Sequence, residues 1–377
     1  MKRLLCTMAT LALTAGQAQA QGESATWSSA QIRQLRDWVA AAPKDALPLL
    51  STSALDAAER SGDAAAVAGA ATDLALREAR QRLLGAASQA ERAKWKIVDT
   101  DSSIDLPSRL SAALSSGSFD SFIASLDPRY PDYAVLRTAY ATETDRTRKL
   151  TLARNMERWR WMPQAPGPDF VLVNAPAFEA EYWHDNQLVG TRRVIVGKPR
   201  TPTPVFSARI TAVTLNPWWY VPASIVRESV GALVRRSPAA ARARGYVWSG
   251  GQIRQRPGPG NALGVTKLEM PNPNTVYMHD TPDHSLFDRD VRAFSHGCIR
   301  TDDVVGLGAA LLEGIKTRAE IDAIIATRIN TTIDLPRPIP VYVAYFTASA
   351  GPNGTVRYHA DLYGRDGAIR AAWLGRR

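Results

Sequence analysis

The sequence predicts an α+β protein in which a helical first part precedes a mainly β second part. Between residues 27 and 152, apolar residues recur at helical spacing, as at Ile32, Leu35 and Val39. From Phe170 onward the spacing changes to the alternation typical of strands. An insertion rich in arginine, glycine and proline separates two of these strands and completes the predicted organisation.

The helical part is predicted to consist of several short amphipathic helices. A second periodic run contains Leu76, Ala79, Leu83 and Leu84, and proline and glycine residues such as those at 107 and 117 divide the region. It has no fixed repeat and no cluster of chemically reactive residues. We therefore expect residues 21–150 to be a scaffold or docking region.

Strands are predicted wherever β-branched and aromatic residues alternate between turn signals. The predicted strands are Phe170–Asn174, Phe178–Trp183, Leu188–Val196, Val205–Leu215, Thr275–His279, Val341–Thr347 and Val356–Tyr363. Asp185-Asn186 predicts a turn, and Asn353-Gly354 predicts the turn of the last hairpin.

The insertion spans about residues 218–263. It contains a predicted helix, Ala223–Arg235, and a glycine- and proline-rich stretch, Arg254–Gly260. Insertions of this length between strands are typically functional. We interpret it as a lid over a site.

The first 20 residues have the pattern of a secretory signal. Lys2 and Arg3 precede an apolar stretch that ends at Ala18-Gln19-Ala20, which predicts cleavage after Ala20 and export to the periplasm. The apolar stretch is too short for a membrane span of roughly 20 residues. Removal of two basic residues and no acid lowers the formal charge of the 377-residue chain from +10 to +8. A basic exported protein favours carboxylate-rich surroundings over nucleic acid.

Cys298 becomes the chain's single thiol once Cys6 leaves with this segment. A thiol reacts as thiolate, so a catalytic cysteine needs a base or a positive field beside it. His279 and His296 are candidate bases. Thr301 or Asp302 could also cap a predicted helix over 304–313 and bring its positive end near the thiol.

Two other interpretations of this cysteine are open. A lone cysteine can be a small buried apolar residue. His279, His284, His296 and Cys298 are also zinc-ligand types, although their spacing matches none of the usual zinc motifs. Gly297 favours catalysis, because a glycine before the nucleophile permits a bend that aims backbone amides at one oxygen.

The run Met278-His279-Asp280-Thr281-Pro282 and the run Arg292 to Arg300, which contains Ser295-His296-Gly297-Cys298, together resemble the signature of the YkuD-type L,D-transpeptidases. Residues 155–163 and 340–366 resemble segments of the YcbB-like branch of that family. The resemblance predicts a YkuD-type catalytic domain over 151–367, followed by a tail, 368–377.

The resemblance implies a cysteine-dependent acyltransferase that needs no cofactor and no metal. His279 would take the thiol proton, and Cys298 would attack a carbonyl of a peptidoglycan stem peptide and release D-alanine. The backbone amides of Gly297 and Cys298 would form the oxyanion hole. An acceptor amine would then take the acyl group and form a cell-wall crosslink.

Further residues match positions near this site or lie beside them. His296 and Ser295 are predicted to support it. Arg300, Tyr277, Trp218 and Trp219 are predicted to bind substrate, although Arg300 could instead pair with Asp302 or Asp303, and the tryptophans could be packing residues.

Two other functions are compatible with the sequence. A hydrolase of the same fold would trim stem peptides with water as acceptor, and a non-enzymatic wall-binding module would carry an incidental cysteine. In each case we expect peptidoglycan stem peptides as partner, no nucleic acid and no integral membrane span. Docking of the helical region to wall-synthesis proteins is a further expectation.

Overall fold

The computed structural model describes residues 26–370. The predicted signal segment, which contains Cys6, lies outside these residues, as does most of the predicted tail. Within the described range, helices predominate up to residue 159 and strands predominate after residue 170. The predicted α+β class is confirmed.

The first part of the chain contains seven helices. They are α1 (Ser29–Ala41), α2 (Ser53–Ser61), α3 (Ala64–Leu84), α4 (Leu106–Ser115), α5 (Phe119–Ala124), α6 (Pro131–Thr142) and α7 (Arg146–Trp159). Several of these helices are capped at the N-terminus by an aspartate. Asp63, Asp105 and Asp145 each accept hydrogen bonds from backbone amides of the first helical turn. Helices α1 to α5 bury a core that includes Leu35 and Leu74. The predicted short amphipathic helices are confirmed.

One strand also belongs to this part of the chain. Strand β1 (Trp95–Lys96) pairs in parallel with residues of the second part, with Trp95 opposite Val205. The Val98 amide extends this contact by donating to Ser207 Oγ at 3.0 Å. The sequence carries no sign of this strand, because a two-residue strand is too short to show alternation.

The second part of the chain contains the remaining strands and five short helices. The strands are β2 (Phe170–Asn174), β3 (Glu179–His184), β4 (Gln187–Gly197), β5 (Val205–Leu215), β6 (Trp219–Tyr220), β7 (Tyr246–Ser249), β8 (Gln252–Gln255), β9 (Thr266–Glu269), β10 (Met278–His279), β11 (Ala293–Ser295), β12 (Ile299–Thr301), β13 (Thr331–Ala344), β14 (Ala348–Ala350) and β15 (Val356–Tyr358). The helices are α8 (Ala223–Ile225), α9 (Gly231–Arg236), α10 (Pro238–Ala243), α11 (Val304–Leu311) and α12 (Arg318–Thr327).

The main sheet closes on itself. Its strands follow the order β5-β13-β2-β3-β4-β12-β10-β9, and β9 pairs again with β5. Strand β5 makes this closure possible because it is long: its first residues pair with β1 and its last residues, Ala212–Leu215, pair with β9. The ring leaves no free edge on β10, which carries His279, or on β12, which begins directly after Cys298.

The predicted strands at 170–174 and 205–215 are confirmed residue for residue. The predicted strand Thr275–His279 is shorter, because Thr275 has a left-handed backbone (φ 52°) and only Met278–His279 pairs. The predicted strand Val341–Thr347 is shorter, because β13 ends at Ala344 and residues 345–347 lie between β13 and β14. The Asn353-Gly354 turn is confirmed, with both residues at positive φ.

The insertion at 218–263, which we call the lid, forms its own small layer. Strands β6, β8 and β7 make a three-stranded sheet, and Trp219, Val221 and Ile253 bury a separate apolar cluster beneath it. The predicted helix at 223–235 is present as α8, a π-helical turn (Val226–Val230) and α9.

Across residues 26–370, every helix is too short or too polar to cross a lipid bilayer.

Candidate active site

His279 and Arg300 lie on adjacent strands, and Tyr277 and Cys298 come directly before those strands. In the parallel pair β10–β12, His279 is opposite Arg300, and in the antiparallel pair β9–β10 it is opposite Lys267. Because side chains alternate between the faces of a sheet, Tyr277 and His279 share a face, as do Cys298 and Arg300. Because residues opposite each other in paired strands point to the same face, these four side chains and Lys267 lie on one side of the sheet.

The opposite face of these strands anchors the site to the core. Met278 and Ile299 are fully buried there, in the same apolar cluster as Val304 and Leu307 of α11. Since one face is fixed by this packing, the strands can slip by one residue only at the cost of burying the charged face. The core therefore defines which side chains reach the pocket.

Gly297 bends the chain directly before Cys298. Its φ of 117° is one that L side chains rarely adopt, and its carbonyl accepts a hydrogen bond from Thr203 Oγ1 at 2.9 Å. The Gly297 amide donates to Ser295 Oγ at 3.0 Å, and the same hydroxyl donates to the Cys298 carbonyl at 2.5 Å. Ser295 supports the loop by hydrogen bonds, as predicted.

The predicted oxyanion hole needs a correction. Because Ser295 already holds the Gly297 amide, that amide is not free for a substrate oxygen. The Cys298 amide, in contrast, has no acceptor within residues 26–370. Gly297 therefore contributes the bend, and the free donor beside the thiol is the Cys298 amide.

The Cys298 thiol is partly buried and lies against β10. Its sulfur is 3.9 Å from the Thr275 carbonyl, and the Tyr277 hydroxyl is within hydrogen-bonding reach of it. Burial raises the thiol pKa above its ordinary value, and Tyr277, Lys267 and Arg300 oppose that rise. Burial therefore favours the protonated form of the thiol at neutral pH.

His279 is almost fully buried, with 5% of its surface exposed. Its Nδ1 lies 2.5 Å from the Asp280 carbonyl oxygen, and the Leu263 carbonyl also faces the ring. Because a carbonyl oxygen can only accept, we assign the ring proton to Nδ1, which leaves the lone pair on Nε2. Burial, followed by the charges of Arg300 and Lys267, lowers the pKa of His279 to about 3. The imidazole is neutral and can accept a proton.

The helix predicted after Cys298 is present as α11, but its cap differs from the prediction. Asp303 accepts from the Gly306 amide at 3.0 Å, whereas Asp302 forms an ion pair with Arg193 at 2.7 Å. Strand β12 lies between Cys298 and this helix. The thiol is therefore not at the helix start, and its positive field comes from side chains.

Arg300 is half-buried and does not pair with the acids next to it in sequence. Asp302 pairs with Arg193, and Asp303 lies 3.7 Å from Arg192. Within residues 26–370, no carboxylate is within ion-pair distance of Arg300. Its guanidinium is thus available to an anionic ligand, and the prediction that it binds substrate stays a prediction.

His296 points away from the thiol and toward the lid. Its Nε2 lies 2.8 Å from Glu228 Oε2, on the π-helical turn of the lid. The supporting role predicted for His296 therefore takes the form of a contact between the nucleophile loop and the lid. Sequence reasoning missed Glu228, which has no motif around it.

The two tryptophans at the start of the lid differ in exposure. Trp219 is buried in the lid core with 7% exposed, and its side chain hydrogen-bonds the Tyr277 hydroxyl. Trp218 is half-buried, with the Arg254 guanidinium 5.0 Å from its ring centroid; the same guanidinium is 5.6 Å from the Tyr220 ring. Trp219 therefore fits the packing alternative, and substrate binding by Trp218 stays a prediction.

Lys267 and Glu269 on β9 complete the charged face and were missed from the sequence. Lys267 Nζ lies 2.8 Å from Glu269 and 4.7 Å from the Tyr277 ring centroid. The alternation of Lys267 and Glu269 with Thr266 and Leu268 is the sequence signal that could have revealed this strand.

The candidate zinc ligands do not form a common group. His284 is exposed and contacts Asp280 at 3.3 Å, and His296 contacts the lid. In the part of the chain that the structure describes, the grouping close enough to share a cation is Asp169, His184 and Asp185, at the turn between β3 and β4. It does not include Cys298.

Two separate parts of the chain are similar to known family models. Residues 168–317 match the family model of the L,D-transpeptidase catalytic domain, YkuD, and residues 19–139 match the model of a scaffold domain. A curated relative from Haemophilus influenzae, named provisionally as an L,D-transpeptidase, is 30% identical over 255 residues, which cover 61% of this chain. The chain spans 50% of the length of that relative.

Solved structures with detectable similarity carry related names. L,D-transpeptidase 3 from Mycobacterium tuberculosis is 15% identical, with 47% of this chain and 61% of that chain covered and a TM-score of 0.27. An L,D-transpeptidase from Mycobacterium smegmatis is 12% identical, with 47% and 58% covered and a TM-score of 0.25.

Proposed function

We propose that the chain is an L,D-transpeptidase of the YkuD family that crosslinks peptidoglycan stem peptides in the periplasm, with Cys298 as nucleophile. The similarity of residues 168–317 to the YkuD catalytic-domain model and of the chain to the curated relative supports this proposal. The observation that carries this proposal is that Cys298 lies between the bend at Gly297 and the start of β12, while His279 lies opposite Arg300 on the adjacent parallel strand β10. A protonated thiol beside a neutral imidazole is a suitable starting pair for acyl transfer.

Acylation transfers one proton and exchanges one bond. The imidazole of His279 takes the thiol proton as the Cys298 sulfur bonds to the stem carbonyl carbon. The Cys298 amide donates to the oxygen that becomes negative, where a preorganised donor has most effect. The carbon–nitrogen bond then breaks, the imidazolium gives its proton to the leaving amine of D-alanine, and a thioester remains.

A negatively charged substrate would make proton transfer to His279 more favourable. Arg300 and Lys267 lower the pKa of His279, so they oppose formation of the imidazolium. A stem carboxylate bound between these two cations offsets their charge and raises the basicity of His279. The base would thus become effective only when the pocket holds an acidic stem.

Deacylation repeats the sequence with an acceptor. The amine of a second stem attacks the thioester carbon, gives a proton to His279 and forms the new amide. The carbon–sulfur bond breaks and the sulfur recovers its proton from the imidazolium. If water enters instead of the amine, the same steps give a trimmed stem and the hydrolase activity.

The test is mass analysis of stem peptides after incubation with the purified protein. We expect joined stems, and a thioester adduct on Cys298 by intact mass, with loss of both in Cys298→Ala and a fall of about 10²-fold or more in His279→Gln. His359→Gln is the matched control, because His359 bonds Ser349 at 2.8 Å outside the site. Shortened monomers without joined stems would establish the hydrolase instead.

A further inference from the structure

The lid carries a charge unlike that of the rest of the chain. Between residues 218 and 263 the sequence has seven arginines, no lysine, no aspartate and one glutamate, Glu228. That glutamate is already engaged by His296 on the nucleophile loop. The lid therefore presents a concentrated positive surface with its single acid directed at the site.

Most of this charge faces solvent without a partner. Six of the seven arginines are exposed, and none of the six has a carboxylate within ion-pair distance among residues 26–370: Arg227, Arg235, Arg236, Arg242, Arg244 and Arg256. Elsewhere in the described chain, arginines such as Arg36, Arg82 and Arg193 do pair with acids. Unpaired like charges on a subdomain of this size repel one another, so an anionic ligand would relieve that repulsion.

Aromatic rings lie among these arginines. The Arg254 guanidinium lies between Trp218 and Tyr220, and Tyr220 is 54% exposed. Trp248, next to the tip of the β7–β8 hairpin, is 65% exposed. Aromatic faces combined with guanidinium forks suit a ligand that alternates ring or apolar surface with carboxylates.

The lid is physically continuous with the pocket. Glu228 contacts His296, two residues from Cys298, and Trp219 bonds the Tyr277 hydroxyl beside the thiol. A ligand on the lid surface would therefore lead directly into the site. This favours a polymer that extends beyond the stem held at Cys298 over a small separate ligand.

We propose that the lid arginines form a docking surface for the peptidoglycan strand, through carboxylates repeated along its stems. The inference rests on the proposed function, since the bound polymer is the one whose stems reach Cys298. An anionic membrane is the alternative occupant. The lid does not suit insertion into lipid, because the large apolar residues that it exposes are Tyr220 and Trp248 and it has no apolar helix face.

The experiment measures binding in the absence of turnover. In the full-length chain with Cys298→Ala, cosedimentation with purified peptidoglycan sacculi is compared between Arg235→Gln/Arg236→Gln/Arg242→Gln and a charge-matched control on exposed scaffold helices, Arg33→Gln/Arg60→Gln/Arg80→Gln. We expect the lid variant to bind about tenfold more weakly at low salt and the control to bind as the parent does. Unfolding curves verify that both variants fold.

Two further arms identify the occupant. Amidation of the sacculus carboxylates should reduce parent binding to the level of the lid variant. Equal loss in both arginine variants, or unchanged binding to amidated sacculi, would overturn the proposal, as would tighter, lid-dependent binding to phosphatidylglycerol vesicles. Failure of the proposed function is separate, since it would show as no acylation of Cys298 by soluble stems while lid-dependent binding persists.

Discussion

Replacing Gly297 by alanine tests whether the backbone bend, rather than the residue's small size, aims the nucleophile. A Cβ at Gly297 would meet nothing closer than the carbonyl oxygens of Thr201 and Pro202, both at 3.9 Å, so no steric clash opposes the change. The φ of 117° is the sole penalty, and such a backbone costs an L residue about 1–3 kcal/mol. Relief of that strain rotates the adjacent peptide and displaces the Cys298 amide and sulfur.

Gly258 in the lid provides the matched control. It also has positive φ, 147°, and a Cβ there has no neighbour within 4 Å. We expect Gly297→Ala and Gly258→Ala to lower the free energy of unfolding by similar amounts, about 1–3 kcal/mol, in urea titrations. In contrast, only Gly297→Ala should slow acylation of Cys298 by a soluble stem peptide, by about 10²- to 10³-fold.

Intact-mass kinetics of the acyl-enzyme measure this difference. Gly297→Ala acylating at the parent rate, with the expected loss of stability, would refute the claim that the bend positions the donor. Equal slowing in Gly258→Ala would show that backbone strain anywhere near the site is sufficient. Either result would remove Gly297 from the catalytic arrangement.

Two further predictions concern proton equilibria. Tyr277→Phe should shift the pH profile of iodoacetamide labelling of Cys298 upward by about one unit, because the hydroxyl stabilises the thiolate. Tyr246→Phe, in the lid, is the control and should leave the profile unchanged. An unshifted profile in Tyr277→Phe would contradict the contact between the hydroxyl and the thiol. The folded protein lowers the pKa of His279 from 6.5 to about 3. Below pH 6.5 the unfolded chain therefore binds a proton that the folded chain does not, and the free energy of unfolding decreases as the pH is lowered. Between pH 7 and 4.5, urea titrations should show the parent losing about 2–3 kcal/mol more than His279→Gln, and equal losses would show that His279 is not buried as described.

Two strands rich in β-branched and apolar residues were predictable from the sequence. Phe170–Asn174 is an almost wholly apolar run and Val205–Leu215 is 11 residues long, so local composition and tertiary structure agree. Trp95–Lys96 and Met278–His279 are too short to show a period, and their pairing depends on partners distant in sequence. Tertiary contacts alone make those residues strands.

At the candidate site, the sequence motif predicted which residues lie near one another. It did not predict which donor and acceptor form each hydrogen bond. Cys298 and His279 were found because nucleophile and base need particular residue types. That Ser295, rather than a substrate oxygen, holds the Gly297 amide depends on one side-chain rotamer. Lys267 was missed because a lysine in a strand has no motif, and its charge matters only through the register with His279.

The pairing of Trp95–Lys96 with Val205–Phe206 gives the helical part of the chain a protective role toward the sheet. Without those two residues, the first segment of β5 would present unpaired amides and carbonyls, which invite strands from other molecules. Trp95 adds edge-to-face contacts with Trp161 and Phe346, at 5.4 and 5.8 Å between ring centroids. Strand β1 thus covers this edge of β5. We expect a fragment of the chain that begins after β1 to associate with other copies of itself through the exposed edge of β5.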